Sequence, residues 1–280
     1  MGKLYVCGTP IGNLEDASIR LLKTLRKVDM IACEDTRHTL KLLNRFKIKN
    51  KLVSYHQFSS EQKEDYIIEA IREGKDVALV SDAGMPTISD PGENLVRRAL
   101  EAGVEVEVVP GPSACTAALV ISGLTSAAFV FEGFLPPKQK RRREMLTRIA
   151  DEKRTVILYE APHRILDMLE DMEEVFGQER SLVIGRELTK KYQEIQRGTV
   201  SELTSYFQIN APRGEFCILI PVREEEMKDI DMEQIAEEIK EMMKQGIEKK
   251  EAFKMKARQY NVKKSDIYNY FVSVSQNVEE

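Results

Sequence analysis

Apolar and polar positions along the chain follow two periods. Short apolar runs recur as LYVC (4–7), DMIAC (29–33), KLVSY (51–55), DVALV (76–80) and VEVEVV (104–109). Between them lie segments with apolar residues at helical spacing: Ala17 to Arg26, the stretch opened by EDTRHTLKLLNRF, Glu61 to Arg72, and Glu93 to Ala102 with Leu95, Val96, Ala99 and Leu100. Runs of four to six apolar residues, buried on both faces and separated by amphipathic helices, predict a parallel, doubly wound α/β sheet. The pattern then changes. AFVFEGF (128–134) and TVILYE (155–160) flank a basic helix, and SLVIGREL (181–188), YQEIQRGTV (192–200) and GEFCILIPV (214–222) follow closely enough for a hairpin. This second sheet is expected to be mixed. After Val222 the strands stop, and residues 230–275 read as three helices. The expected division is 1–118 and 119–224, two α/β domains with a cleft between them, and 225–280, an acidic linker with a basic helical appendage.

Three loops break the rhythm in the same way. GTPIGNLED (8–16), SDAGMPTISDPG (81–92) and PGPSA (110–114) each follow a strand, and each is rich in glycine and proline. The middle one is longer than a simple connection requires, and long loops in α/β units tend to carry function. Ligands of such sheets bind beyond the carboxyl ends of the strands. Glycine lets a ligand approach the backbone, and proline holds the loop rigid. Any one of the loops alone reads as a turn; three on one sheet edge read as a site. Neither GxGxxG nor GxxxxGK[ST] is present, which argues against a standard dinucleotide site and a P-loop. A ligand held by backbone groups and not dominated by phosphates, such as adenosine joined to an amino acid, fits better.

Composition narrows the picture little further. The 280 residues are 42% hydrophobic and 31% charged. No apolar stretch is long enough to span a bilayer, and the N-terminus runs straight into a strand without a signal-peptide layout, so a cytoplasmic location is expected. Cys7, Cys33, Cys115 and Cys217 show no CxxC spacing and read as buried thiols; with His38, His56 and His163 they form no metal-ligand pattern, so no metal is expected. The net charge of −4 hides segregation. Residues 223–238 are strongly acidic, whereas residues 244–264 and the run KQKRRR (138–143) are strongly basic. The overall charge therefore does not exclude a polyanionic partner.

The ordered motifs GTPIGNLED, ACEDTRHT, SDAGMPTISDPG, VVPGPSA, FEGFLP, YEAPHRI and RELTKKYQE resemble those of the tetrapyrrole-methylase superfamily over residues 3–222. They are most similar to its ribosomal RNA branch, which methylates a cytidine 2′-hydroxyl in the small subunit. The resemblance implies S-adenosylmethionine as cofactor, bound between two α/β domains of a homodimer, with small-subunit ribosomal RNA or the assembled subunit as substrate. It puts Pro10, Ala83, Gly84, Met85, Ile88, Ser113 and Ala114 against the cofactor, with Glu160 and Leu188 closing the site. Many tetrapyrrole enzymes carry a GDP triplet where this chain reads AGMP, which favours the RNA branch. A methyltransferase for a tetrapyrrole or other small molecule is the alternative, and a non-catalytic RNA-binding module is another.

Transfer to a ribose hydroxyl is helped by a base that takes its proton. Glu34 and Asp35 are candidates for that base, and Arg37 for holding a phosphate. The competing reading makes Asp35 or Thr36 the cap of the next helix, with Arg37 paired to it. Asp90 divides in the same way between chemistry and capping of the helix at Pro91. Lys140, Arg141, Arg142, Arg143 and Lys190 are candidate RNA-backbone contacts or a solvated charged face. The basic tail is a docking unit for nucleic acid or a packing appendage.

Overall fold

In the computed structural model, which describes residues 1–56, 60–223, 232–260 and 262–276, the chain divides into two compact units, Met1–Val222 and Arg223–Glu280. The first opens with β1 (Lys3–Cys7), α1 (Ile19–Lys27), β2 (Met30–Cys33), α2 (Thr36–Arg45), β3 (Leu52–Ser54), α3 (Glu61–Arg72), β4 (Val77–Val80), α4 (Glu93–Glu101) and β5 (Glu105–Val109). All five strands are parallel, in the order β3-β2-β4-β1-β5. Successive side chains of a strand point to opposite faces. Met30, Ala32, Val77 and Leu79 accordingly pack under α3 and α4, while Ile31, Cys33, Ala78 and Val80 pack under α1 and α2. Coverage of both faces explains why these strands are apolar throughout rather than alternating.

After α5 (Ala114–Ser122) come β6 (Phe129–Phe134), α6 (Gln139–Ile149), β7 (Thr155–Glu160), α7 (Ile165–Phe176), β8 (Ser181–Arg186), β9 (Glu194–Thr199), α8 (Val200–Ile209) and β10 (Phe216–Ile220). The second sheet has the order β6-β7-β10-β8-β9, with β6–β7 parallel and the other pairings antiparallel. The mixed sheet and its β8–β9 hairpin are as the pattern predicts. One face, from Val156, Leu158, Ile184 and Ile218, packs against α6, α7 and α8. The other, from Ile157, Val183, Cys217 and Leu219, packs against Cys115, Ala118 and Leu119 of α5, and also takes up Ile11 and Leu188. The second sheet thus reaches the loops of the first.

The second unit is α9 (Met232–Lys244), α10 (Lys249–Gln259) and α11 (Lys264–Gln276) around Ile235, Ile239, Phe253, Ile267 and Phe271. Glu238 on α9 joins α10 through an ion pair with Lys256 at 2.7 Å and by accepting from the Tyr260 hydroxyl at 2.7 Å. The expected acidic linker is only partly one: Glu233, Glu237 and Glu238 belong to α9, and residues 224–231 lie outside the described residues. Among the described residues, no helix is long and apolar enough to cross a membrane.

Candidate functional site

The three glycine- and proline-rich loops meet. Thr9 and Gly84 exchange backbone hydrogen bonds, with Thr9 N–H donating to the Gly84 carbonyl at 2.8 Å and Gly84 N–H to the Thr9 carbonyl at 3.1 Å. Gly8 N–H donates to the Val109 carbonyl at 2.9 Å, drawing the third loop in. A Cβ added to Gly8 would lie 2.7 Å from the Gly111 Cα and 2.5 Å from the Met85 sulfur, so these loops touch only because Gly8 and Gly111 have no side chains. Gly84 has φ of +83°, a left-handed backbone that favours glycine. Non-glycine residues share that strain nearby, Thr87 at +74°, Ser89 at +61°, Glu187 at +51° and Thr189 at +65°. Strained positions of this kind persist where surrounding structure over-determines them.

Between these loops and the α5-facing side of the second sheet lies a cavity of about 420 Å³. Of the nine expected cofactor residues, Ala83, Gly84, Met85, Ile88, Ser113, Ala114, Glu160 and Leu188 line it. Pro10 does not; its neighbour Ile11 does. Tyr159, Phe134, His163, Phe216 and Cys217 complete much of the wall on the second-sheet side, and were not singled out from the sequence. The Tyr159 hydroxyl accepts the Cys115 backbone N–H at 2.9 Å, which pins the start of α5 beside Ser113 and Ala114. A strand-end Tyr-Glu followed by a turn was the available signal.

Does this cavity suit S-adenosylmethionine? Its volume is in the range of small-molecule sites, and its wall is largely apolar. The Glu160 carboxylate, 1% exposed, accepts from the Ala161 N–H at 2.8 Å and lies 3.2 Å from the Arg164 guanidinium, yet its Oε2 has no hydrogen-bond partner. Burial pushes this carboxyl up. A buried acceptor left without a donor is costly. A ligand with an amino group and a flat apolar ring system would satisfy it while filling the wall, so the residues present fit the cofactor.

None of the expected catalytic trio, Glu34, Asp35 and Arg37, lines the cavity, although Glu34 lies near enough to act by charge on Asp90 of its wall. Asp35 is the N-cap of α2, accepting from the Arg37 N–H at 2.8 Å, and its carboxylate grips the exposed Arg37 guanidinium. The Arg37 side chain and backbone hydrogen bonds hold the Asp35 carboxyl down at about 2. This is the capping reading, and it makes Asp35 a weak base. Burial pushes Glu34 up, with Asp82 adding repulsion. Asp90, by contrast, lines the cavity and caps nothing: α4 starts from Gly92 without a side-chain cap.

The candidate RNA contacts separate as well. Arg142 is 3% exposed and binds Asp171 on α7 at 2.5 Å, so it is removed from any phosphate-contact set. Arg143 also binds Asp171, at 2.6 Å, and reaches Glu174. Lys190 pairs with Glu187 at 2.7 Å and Glu215 at 3.0 Å, and its stem covers Gly12. Lys140 and Arg141 stay exposed. Among the described residues, no cluster of histidine, cysteine and carboxylate side chains has the arrangement of a metal site.

Two linked α/β sheets around a strand-end cavity define a two-sheet α/β protein with a small-molecule site. A cobalt precorrin-4 methyltransferase, a cobalamin biosynthetic enzyme, superposes with a TM-score of 0.58 at 20% identity, over 78% of this chain and 94% of its own. A diphthine synthase does so with 0.61 at 15%, over 79% and 90%. These likenesses are of fold. The family model of the Tetrapyrrole (Corrin/Porphyrin) Methylases matches residues 3–204, and the chain belongs to that family. Relatives named Ribosomal RNA small subunit methyltransferase I include one from Synechocystis sp., 44% identical over 269 residues and 96% of each chain. The Bacillus subtilis protein of that name is 41% identical, over 97% of this chain and 94% of its own. That of Thermotoga maritima is 49% identical over 224 residues, 80% of this chain and the whole of the relative.

Proposed function

We propose that the chain is an S-adenosylmethionine-dependent methyltransferase of small-subunit ribosomal RNA that modifies a cytidine 2′-hydroxyl in the decoding region. The observation that carries the reading is the cavity, in which a backbone cradle from three strand-end loops faces a buried carboxylate oxygen without a partner. The names of the full-length relatives support ribosomal RNA as the acceptor. S-adenosylmethionine supplies an already activated methyl group, so the protein's part is binding, orientation and exclusion of water. Gly84 and Ala83 leave room for the ligand beside the loop, Ile11, Met85 and Leu188 would surround its apolar parts, and Glu160 would receive its donor. Orientation of the acceptor oxygen behind the methyl group is what remains for the open side of the cavity.

The proposed division keeps 1–118 and 119–224 as the two walls of the cleft. For RNA contact we retain Lys140 and Arg141 and add Lys250, Lys254 and Arg258, which lie four residues apart on α10, exposed and without an ion pair among the described residues. Residues at that spacing share a helix face. A homodimer in the cytoplasm is part of the same proposal. Its support is α5, an apolar helix whose Val120 is 80% exposed.

The deciding test is transfer of labelled methyl from S-adenosylmethionine to small ribosomal subunits lacking their modifications, with naked ribosomal RNA and a tetrapyrrole precursor in parallel. Alkali-resistant label at one ribose is expected. Label in the tetrapyrrole alone would overturn the RNA reading.

A further inference from the structure

We infer that Asp90 is the catalytic base, the group that takes the proton from the acceptor hydroxyl. The assignment rests on the methyltransferase reading above and names a residue within it.

Position is the first argument. Asp90 lines the cavity together with Gly84, Met85 and Ile88, the loop residues placed against the methyl donor. Its hydrogen-bonding neighbour is the Ser81 hydroxyl, from the end of β4. α4 begins two residues later from Gly92, with no side-chain cap. No lysine or arginine among the described residues pairs with it. A carboxylate in an apolar wall without a cationic partner is costly to keep, and such groups concentrate at reacting centres.

Rigidity is the second. Thr87 at +74° and Ser89 at +61° are non-glycine residues in the left-handed region, immediately before Asp90. Each costs about 1 kcal/mol or more against an ordinary backbone. Ser89 packs closely against β6, whose register shifts between Phe131 and Gly133: Gly133 has φ of +63°, and an added Cβ there would lie 2.7 Å from the Ser89 Oγ. The turn therefore holds Asp90 in one position, as a base must be held.

The charged surroundings agree. Glu34 from the loop after β2, Asp82 from the loop after β4, and Glu215 before β10 all act on Asp90 with like charge, while Glu160 and His163 line the same cavity. Burial first, and then these carboxylates, against a hydrogen bond from Ser81, push the Asp90 carboxyl up to about 6. It is thus ionised at neutral pH yet far more basic than Asp35, and a base is most effective when its pKa lies near the working pH. In the step itself the acceptor oxygen forms a bond to the methyl carbon as the methyl–sulfur bond breaks. Sulfur keeps that electron pair and becomes a neutral thioether. The hydroxyl proton moves to an Asp90 carboxylate oxygen and from there to water.

The test combines three readouts on wild type, Asp90→Asn, Asp90→Glu and Glu34→Gln. Carbon NMR of the ligand-free protein with labelled aspartate should show one carboxyl titrating near pH 6 that is missing from Asp90→Asn. Calorimetry should give that variant a cofactor affinity within threefold of wild type. Its single-turnover methyl transfer to unmodified subunits should fall at least 100-fold, with the wild-type rise in rate through pH 6 abolished, and Asp90→Glu should recover part of the rate. An Asp90→Asn rate within threefold of wild type, a parallel loss of cofactor affinity, or loss of the pH 6 limb in Glu34→Gln instead would overturn the assignment. Wild-type protein that binds cofactor but transfers no methyl to subunits or ribosomal RNA would overturn the ribose reading, and the assignment with it.

Discussion

Gly84 shows how a single backbone angle prepares a binding surface. Its φ of +83° turns the chain so that its N–H and carbonyl both pair with Thr9 at the cavity wall, while the nearest atom to an added Cβ would be Ile11 at 3.4 Å. Space therefore does not forbid alanine; the backbone conformation does. Gly84→Ala is expected to lower stability by about 1 kcal/mol in urea unfolding. Gly84→Arg adds a charged chain at the cavity wall and should reduce S-adenosylmethionine affinity more than tenfold by calorimetry, with the fold kept. The sequence already pointed to most of this wall, because glycine and proline at strand ends have few other uses in an α/β sheet. It left the base open for an equally physical reason. An acid beside a threonine and an arginine after a strand suits catalysis and helix capping alike, and only the geometry shows Asp35 capping α2. Asp90 was obscured by the proline and glycine after it, which imitate the start of a helix.

The packing of α6 on α7 shows the same ambiguity in a charge run. KQKRRR reads as one basic patch, yet α6 turns Arg142 inward to Asp171, which is fully buried, and leaves Lys140 and Arg141 outside. Helical period sorts the run, but no local signal says which side meets an acid 29 residues away. The strands were legible because burial on both faces forces continuous apolar runs, and α3 begins and ends where its apolar spacing does. Asp171→Ala strands a buried guanidinium, so a loss of about 3–5 kcal/mol in urea unfolding is expected. Burial alone would raise the Asp171 carboxyl, but the hydrogen bonds from Arg143 and Arg142 outweigh it and hold the group below its ordinary value. Its contribution is therefore complete at neutral pH and is lost as pH falls through that lowered value. The stability gap between wild type and Asp171→Asn should accordingly close below about pH 4. On α10 the unpaired stripe makes a different prediction. Changing Lys250, Lys254 and Arg258 together to glutamine should leave cofactor binding intact. It should also flatten the dependence of log RNA affinity on log salt by about two units, since each phosphate contact contributes about 0.7–0.9 to that slope.

Catalysis and docking are assigned to separate parts of the chain, which makes the division of labour open to test. Residues 1–222 hold both sheets, all the cavity-lining groups and their own cores. The three C-terminal helices close around a separate small core, with acids on α9 and unpaired bases on α10. The Thermotoga maritima relative is matched along its whole length by 224 residues of this chain, about the length of the first unit. Removing residues 223–280 should then leave the thermal midpoint of the remaining unit and its S-adenosylmethionine affinity near those of the full chain. Methyl transfer to subunits should weaken mainly through KM, by roughly tenfold at physiological salt, since losing three phosphate contacts removes part of a salt-sensitive binding term. It should recover as salt is lowered, because the remaining contacts strengthen. A fall in kcat at saturating subunit, or a loss of cofactor binding, would instead show that the helices support the cavity, and the stripe on α10 would then need another explanation.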